Sequence, residues 1–159
     1  MELSHSRIIV TCSGLNAKID WVDLNVKKSY KGMQRYAVSK LANMLFVFEL
    51  DRRLRKAGST MTVTNCQPGF VADTGLARDM SPFDPQMLIR TVLRLFANTP
   101  AMSAWSALQA ATGQVSAGGF YGPGELGGIR GPSREVTRPA NARDPAVAKS
   151  TMGYFDRID

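Results

Sequence analysis

Two short runs rich in β-branched residues flank one long stretch with helical periodicity, and this order most constrains the fold. The first run covers residues 7–13 and ends in Ser-Gly, and the second covers 61–66 and is followed by Pro68-Gly69. Between them, residues 34–55 repeat apolar side chains at helical spacing. Strand, long helix and strand predict a parallel β-α-β unit, because parallel strands need a crossover connection of this kind. We expect the first strand to be buried.

The helical stretch carries two apolar stripes, which predict burial on two sides. One stripe consists of Leu41, Met44, Leu45 and Phe48, and the other of Val38, Ala42, Phe46, Leu50 and Leu54. Gly58, after Arg55 and Lys56, predicts the end of the helix, because a glycine commonly follows a helix and cations favour its last turn.

Further elements are predicted downstream. Asp84-Pro85 favours a helix start leading to a helix that runs to residue 96, and Thr99-Pro100 favours a second helix that ends near Gly113. Residues 118–121 predict a last short strand. Many of the 14 glycines and 8 prolines follow Ser116, so we expect irregular structure over 114–159.

Composition limits the classes of function that remain. The 159 residues suit one domain, with 20 Lys and Arg against 13 Asp and Glu and a net charge of +7. The basic residues are dispersed and do not interleave with aromatic residues, so we expect no nucleic-acid groove. Cys12 and Cys66 lack metal-ligand spacing, and we expect buried thiols and no metal site. No leader pattern or long apolar run is present, so we expect a cytoplasmic protein with no membrane partner.

Tyr36 and Lys40 are the residues that most clearly indicate chemistry. Residues four apart share one face of a helix, so the phenol and the ammonium lie close together. A nearby cation stabilises the phenolate, and a tyrosine tuned in this way can exchange a proton with a substrate oxygen. The pattern alone is weak, because such pairs are more often neighbours on a solvated helix face.

The strand ends on either side strengthen that pattern. Ser13 follows the first strand, and ligands of open parallel sheets bind at the carboxyl ends of strands. Pro68-Gly69 and Val71 follow the second strand, with Thr74 beyond them. A glycine at such a place permits close approach of a ligand to the backbone. Thr74 has two open readings, a helix cap or a cofactor contact.

The combination of Ser13, Tyr36-Ala37-Val38-Ser39-Lys40 and Pro68-Gly69 with Thr74 resembles the short-chain dehydrogenase/reductase family. Three further segments resemble its retinol-dehydrogenase-like branch: residues 20–25, residues 50–54 and Gly122-Pro123. The resemblance runs from about residue 7 to at least residue 145. It implies an α/β fold, namely the last three strands and flanking helices of a partial Rossmann-type doubly wound sheet, so that 1–159 is a single partial domain.

The resemblance also implies roles for individual residues. Ser13 would polarise a carbonyl, Tyr36 would be the general acid/base, and Lys40 would tune Tyr36 and bind the nicotinamide ribose. Pro68, Gly69, Val71 and Thr74 would contact NADP or NAD, and residues 76–96 would form a lid over an alcohol or carbonyl substrate. The helix that carries Tyr36 would pack against its copy in a homodimer.

The chain departs from the family pattern at its beginning. Only six residues precede Arg7, so the glycine-rich turn that cradles the pyrophosphate does not occur before Ser13. The glycines of 118–131 follow a predicted helix, which is the wrong context for that turn. We therefore expect a truncated catalytic half, inactive and poorly stable alone. The alternative is a non-catalytic remnant or dimerising module of the same family.

Overall fold

The computed structural model describes residues 6–15, 17–21, 30–71 and 97–156. Its strands and α-helices, in chain order, are β1 (Arg7–Thr11), α1 (Gly32–Lys56), β2 (Thr62–Cys66), α2 (Pro100–Thr112), β3 (Phe120–Glu125), β4 (Arg130–Glu135) and α3 (Pro145–Phe155). The helix expected over 84–96, the lid over 76–96 and Thr74 lie outside the described residues.

The strands form one sheet in the order β1-β2-β3-β4. β1 pairs with β2 in parallel, from Arg7 opposite Thr62 to Thr11 opposite Cys66. β2 pairs with β3 in parallel, and β4 runs antiparallel to β3. The predicted α/β fold, three parallel strands with flanking helices, is confirmed for β1, β2 and β3, and β4 adds a fourth, antiparallel strand that was not predicted.

Helices cover both faces of the sheet, because alternate side chains of a strand point to opposite faces. On one face, Leu41, Met44 and Leu45 of α1 pack with Phe120 of β3 and with Ala148 of α3. On the other, Ala110 of α2 packs with Cys66 and Tyr121. Each fully buried leucine contributes roughly 2 kcal/mol to folding. The second apolar stripe of α1 is only half-buried.

Residues 114–159, which were expected to be irregular, contain regular elements, namely β3, β4 and α3. β4 has no apolar alternation and contains Pro132, so its extended form comes from pairing with β3 and not from its own sequence. α3 begins where the Asp144 side chain accepts a hydrogen bond from the Ala146 amide. That cap uses the same Asx-or-Thr-before-Pro signal as Thr99-Pro100.

The burial expected for β1 is wrong, although the strand itself is present. Among the strands of the described residues β1 lies at the edge of the sheet, and its central residues Ile8, Ile9 and Val10 are only half-buried. β2, by contrast, has neighbours on both sides, and its last four residues are buried. The apolar run of β1 therefore predicts correctly that the segment is a strand, but it does not predict whether that strand lies at the centre or at the edge of the sheet.

Candidate active site

Tyr36 and Lys40 lie one turn apart near the start of α1, which begins at Gly32. The Lys40 ammonium is 5.7 Å from the centroid of the Tyr36 ring. Both side chains are half-buried, whereas Ser39 between them is exposed. The predicted proximity of this phenol and this ammonium is therefore present, and the pair is open to a ligand.

Lys40 also joins α1 to the carboxyl end of β1. Its ammonium donates a hydrogen bond to the carbonyl oxygen of Thr11 at 3.3 Å. Ser13 follows Thr11 by two residues and is half-buried. No hydrogen bond between the Ser13 and Tyr36 hydroxyls occurs in the described part of the chain. The strand end thus brings Lys40 to the Ser13 segment, and Tyr36 stands beside Lys40.

Cys12, directly before Ser13, anchors this segment in the core. Its thiol donates to Oδ1 of Asn65 in β2 at 2.8 Å, and its backbone amide donates to the carbonyl of Cys66. Burial raises the pKa of the Cys12 thiol to about 12, with the neighbouring Cys66 adding to the effect. Burial also raises the pKa of Cys66. Both thiols are free, and their role is packing.

Pro68, Gly69 and Val71 form a turn after β2, and Asn98 holds this turn. The Asn98 side chain donates to the Pro68 carbonyl at 3.2 Å and accepts from the Gly131 amide at 3.2 Å. Val71 forms an isolated parallel bridge with Asn98. The turn therefore sits at the carboxyl edge of the sheet, beside the loop that leads into β4.

The reason for glycine at position 69 differs from the one the sequence suggested. Gly69 has φ +74°, and a Cβ there would lie 2.5 Å from the carbonyl oxygen of Ile129 and 2.7 Å from Pro123. The atoms that approach Gly69 closely therefore belong to the protein and not to a ligand. The fold alone therefore requires glycine there, whether or not a cofactor also touches its backbone.

A cleft of about 540 Å³ opens at the same edge of the sheet. Gly14 and Gln67, which follow β1 and β2, line it together with parts of β3, β4 and the loop between them. Apolar lining comes from Phe120, Pro123 and Val136, and charged lining from Arg134 and Glu135. Gly14 is the neighbour of Ser13 in the sequence, whereas Ser13, Tyr36 and Lys40 are not among the lining residues, so the cleft adjoins the predicted catalytic group through Gly14.

Two residues of this region, Gln67 and Asn98, were not predicted from the sequence. The carboxamide of Gln67 is nearly buried and lines the cleft. Asn98 bonds to two segments, one before and one after it in the chain. An Asn before Thr-Pro or a Gln before Pro-Gly is a common local pattern, so no sequence signal would have singled them out.

The glycines of 118–131 do not form a phosphate-binding turn in this structure. Gly127 and Gly128, both with positive φ, lie on the connection between β3 and the antiparallel β4. Such a connection lacks the following helix whose N-terminus would face a phosphate. In the described residues, no cluster of three or more potential metal ligands occurs, and no helix is long and apolar enough to cross a membrane.

Comparison with known proteins places the chain in a family. No family model matches it. It is 39% identical over 106 residues to retinol dehydrogenase 14 of Mus musculus, covering 65% of this chain and 31% of that protein. It is 36% identical over 123 residues to a short chain dehydrogenase/reductase of Macrophomina phaseolina, covering 72% of this chain and 54% of that protein. The chain belongs to the short-chain dehydrogenase/reductase family.

The similarity of this chain to two further proteins agrees with that assignment. It is 33% identical over 111 residues to polyprenol dehydrogenase of Homo sapiens, covering 67% of this chain and 33% of that protein. A crystal structure of an uncharacterised protein from Mycobacterium paratuberculosis superimposes with a TM-score of 0.68 at 28% identity, over 92% of this chain and 47% of that one. The chain spans between 27% and 54% of the length of the first curated relatives.

Proposed function

We propose that this chain carries the Ser13, Tyr36 and Lys40 site of an NAD(P)-dependent oxidoreductase that interconverts an alcohol and a carbonyl compound. The observation that carries the proposal is the position of the Lys40 ammonium, 5.7 Å from the Tyr36 ring and 3.3 Å from the carbonyl oxygen at the end of β1. A half-buried phenol beside a fixed cation suits proton transfer to an oxygen at that strand end.

The residues of the site would divide the proton chemistry among them. In the reducing direction, Tyr36 gives its hydroxyl proton to the substrate oxygen as hydride reaches the carbon, and in the oxidising direction it takes that proton back. The ammonium of Lys40 stabilises the phenolate that remains. Ser13 donates its hydroxyl hydrogen to the substrate oxygen and holds the carbonyl in place.

NADP or NAD is the cofactor that the family implies, and it would supply or accept the hydride. Lys40 fits the ribose part of such a cofactor, because an ammonium has three N–H donors and, among the described residues, only the Thr11 carbonyl accepts a hydrogen bond from it. The half-buried segment after β2, at Pro68, Gly69 and Val71, would contact the nicotinamide end. Thr74 completes the proposed cofactor contacts.

A homodimer formed through α1 is part of the proposal. The five-residue stripe from Val38 to Leu54 is half-buried within one copy of the chain. A second copy of α1 packed on this stripe would bury its remaining apolar surface, at roughly 25 cal/mol for each Å² removed from water. The substrate in this proposal is a small alcohol or carbonyl compound.

The test is the rate at which the chain oxidises NADPH or NADH with a panel of simple ketones and aldehydes, before and after Tyr36→Phe. We expect that change to lower the rate by at least about a hundredfold, which is the lower range for loss of a general acid. Tyr30→Phe is the matched control, because Tyr30 is 76% exposed just before α1. Equal rates for the two variants would contradict the proposal, whereas no turnover by the folded chain is the outcome that the expectation of inactivity predicts.

A further inference from the structure

Gln67 is a nearly buried polar side chain that has no hydrogen-bond partner for its carboxamide within the described part of the chain. Its exposed fraction is 8%, and it lines the cleft. Its backbone amide donates a hydrogen bond to the carbonyl of Tyr121, so only the side chain can bind a group in the cleft. Neither carboxamide atom belongs to the fully buried side-chain atoms that lack a partner, so the amide keeps its contact with solvent through the cleft and its donors and acceptor are open to a ligand there.

Three glycines make room for this carboxamide. A Cβ on Gly14 would lie 2.5 Å from Oε1 of Gln67, and a Cβ on Gly128 would lie 3.0 Å from its Nε2. A Cβ on Gly122 would lie 2.6 Å from its Cγ. These glycines come from three separate segments of the chain: the segment after β1, strand β3 and the loop before β4. The fold thus encloses the amide on several sides and leaves the cleft as its open side.

The carboxamide lies on the same face of the sheet as Tyr36 and Lys40. Asn65 points to the α1 side, where its amide donates to the Met44 carbonyl, and Cys66 points to the α2 side. Because successive side chains along extended backbone point to opposite faces of the sheet, Gln67 lies on the α1 side. Phe120, which packs against α1, lines the same cleft.

We propose that Gln67 determines substrate specificity by binding a second oxygen-bearing group, a hydroxyl or carbonyl, of the substrate. This inference rests on the proposed function, since it takes the reacting oxygen to lie at Ser13, next to Gly14. The carboxamide can both donate to and accept from an oxygen group. Apolar lining from Pro123 and Val136 would contact the carbon skeleton.

This inference predicts that the chain prefers substrates that differ from those in the names of its relatives. Retinol and polyprenols carry one hydroxyl on a long hydrocarbon. Hydrocarbon placed against Gln67 would exclude water and leave the amide unpaired, and sites with such polar groups reject ligands that lack the matching group. The cleft therefore favours compact substrates with two oxygen-bearing groups.

The test compares two ketones of the same shape, a hydroxycyclohexanone and the corresponding methylcyclohexanone. Dissociation constants are measured by ligand-detected NMR without cofactor. We expect the hydroxyketone to bind at least about tenfold more tightly, the effect of one well-formed hydrogen bond to a buried group. Gln67→Met keeps the length of the side chain and should reduce the ratio to within about twofold. Gln114→Met, at an exposed position after α2, should leave the ratio unchanged.

A second measurement covers the case in which Gln67→Met does not fold. In isotope-labelled wild-type protein, the side-chain NH₂ signals of Gln67 should shift with hydroxycyclohexanone and stay in place with methylcyclohexanone. Equal affinities for the two ketones, no saturable binding of the hydroxyketone, or unmoved Gln67 signals would overturn the inference. Equal turnover by the wild type and Tyr36→Phe, with an intact hydroxyketone preference, would contradict the proposed function instead, so the two failures are distinguishable.

Discussion

The Lys40 ammonium donates a hydrogen bond to the Thr11 carbonyl oxygen across 29 positions of the chain, at 3.3 Å. This bond fixes a flexible side chain against the end of β1 without any ligand. Preorganised groups lose less conformational entropy when a ligand binds. The cation beside Tyr36 is therefore positioned by the packing of α1 on the sheet.

Gly69→Ala should destabilise the protein far more than Gly58→Ala. The two glycines have nearly the same φ, +74° and +71°, so the backbone strain is the same, about 1–2 kcal/mol. A Cβ at position 58 meets nothing within 4 Å, whereas one at position 69 meets the Ile129 carbonyl. We expect Gly69→Ala to cost at least about 2 kcal/mol more, measured by urea unfolding. Equal costs would show that the turn relaxes freely.

Glu49→Gln should destabilise the protein by about 1–2 kcal/mol at neutral pH. The Glu49 carboxylate is only 2% exposed and accepts hydrogen bonds from Arg52 and Arg53. A neutral amide there keeps the shape but loses the charge that both guanidinium groups face. Chemical unfolding measures the change, and Glu125→Gln at an exposed position should change stability by no more than about 0.5 kcal/mol.

The same carboxylate predicts acid sensitivity. The hydrogen bond from Arg52, followed by that from Arg53, lowers the pKa of Glu49 to about 2, below its unfolded value of about 4.3. Because the folded pKa is the lower one, the stabilisation is complete above the unfolded pKa and is lost as the pH falls toward 2. Unfolding free energies measured between pH 5 and about 2.5 should fall less steeply in Glu49→Gln. Parallel curves would contradict this assignment.

Cys12 and Cys66 should resist alkylation in the folded protein. Both are nearly inaccessible, at 1% and 2% exposure, and burial raises the pKa of each thiol, that of Cys12 to about 12. Only the thiolate reacts readily, so iodoacetamide at pH 8 should leave both unmodified until urea is added. Mass spectrometry counts the labels. Rapid labelling of either thiol in native buffer would show that the segment around Ser13 opens.

Local signals in the sequence account for the elements that could be predicted. α1 shows three- and four-residue periodicity over its whole length, and Thr99 caps α2 through the Met102 amide as its position before Pro100 suggested. α3 carries an equivalent signal in Asp144-Pro145, which the surrounding glycines and prolines obscured. The sequence of β4 has no comparable signal, because this segment becomes a strand only by pairing with β3.

The residues of the candidate site also differ in whether local sequence signals predict their positions. Tyr36 and Lys40 could be predicted to lie together, since helical spacing alone brings them close. Gln67 could not be, because its burial depends on Gly14, Gly122 and Gly128, which are distant from one another in sequence. Asn98 likewise joins two segments that only the folded sheet brings together. Contacts of this kind depend on tertiary structure and leave no periodic pattern.

The most direct test of the central claim is a fluorescence titration of the folded chain with NADPH and with NADH, using Lys40→Met and the matched variant Lys56→Met at the exposed end of α1. We predict saturable binding that Lys40→Met weakens at least about tenfold and Lys56→Met leaves unchanged. No saturable binding at millimolar cofactor, or binding indifferent to Lys40→Met, would contradict the account and favour a non-catalytic module of the family.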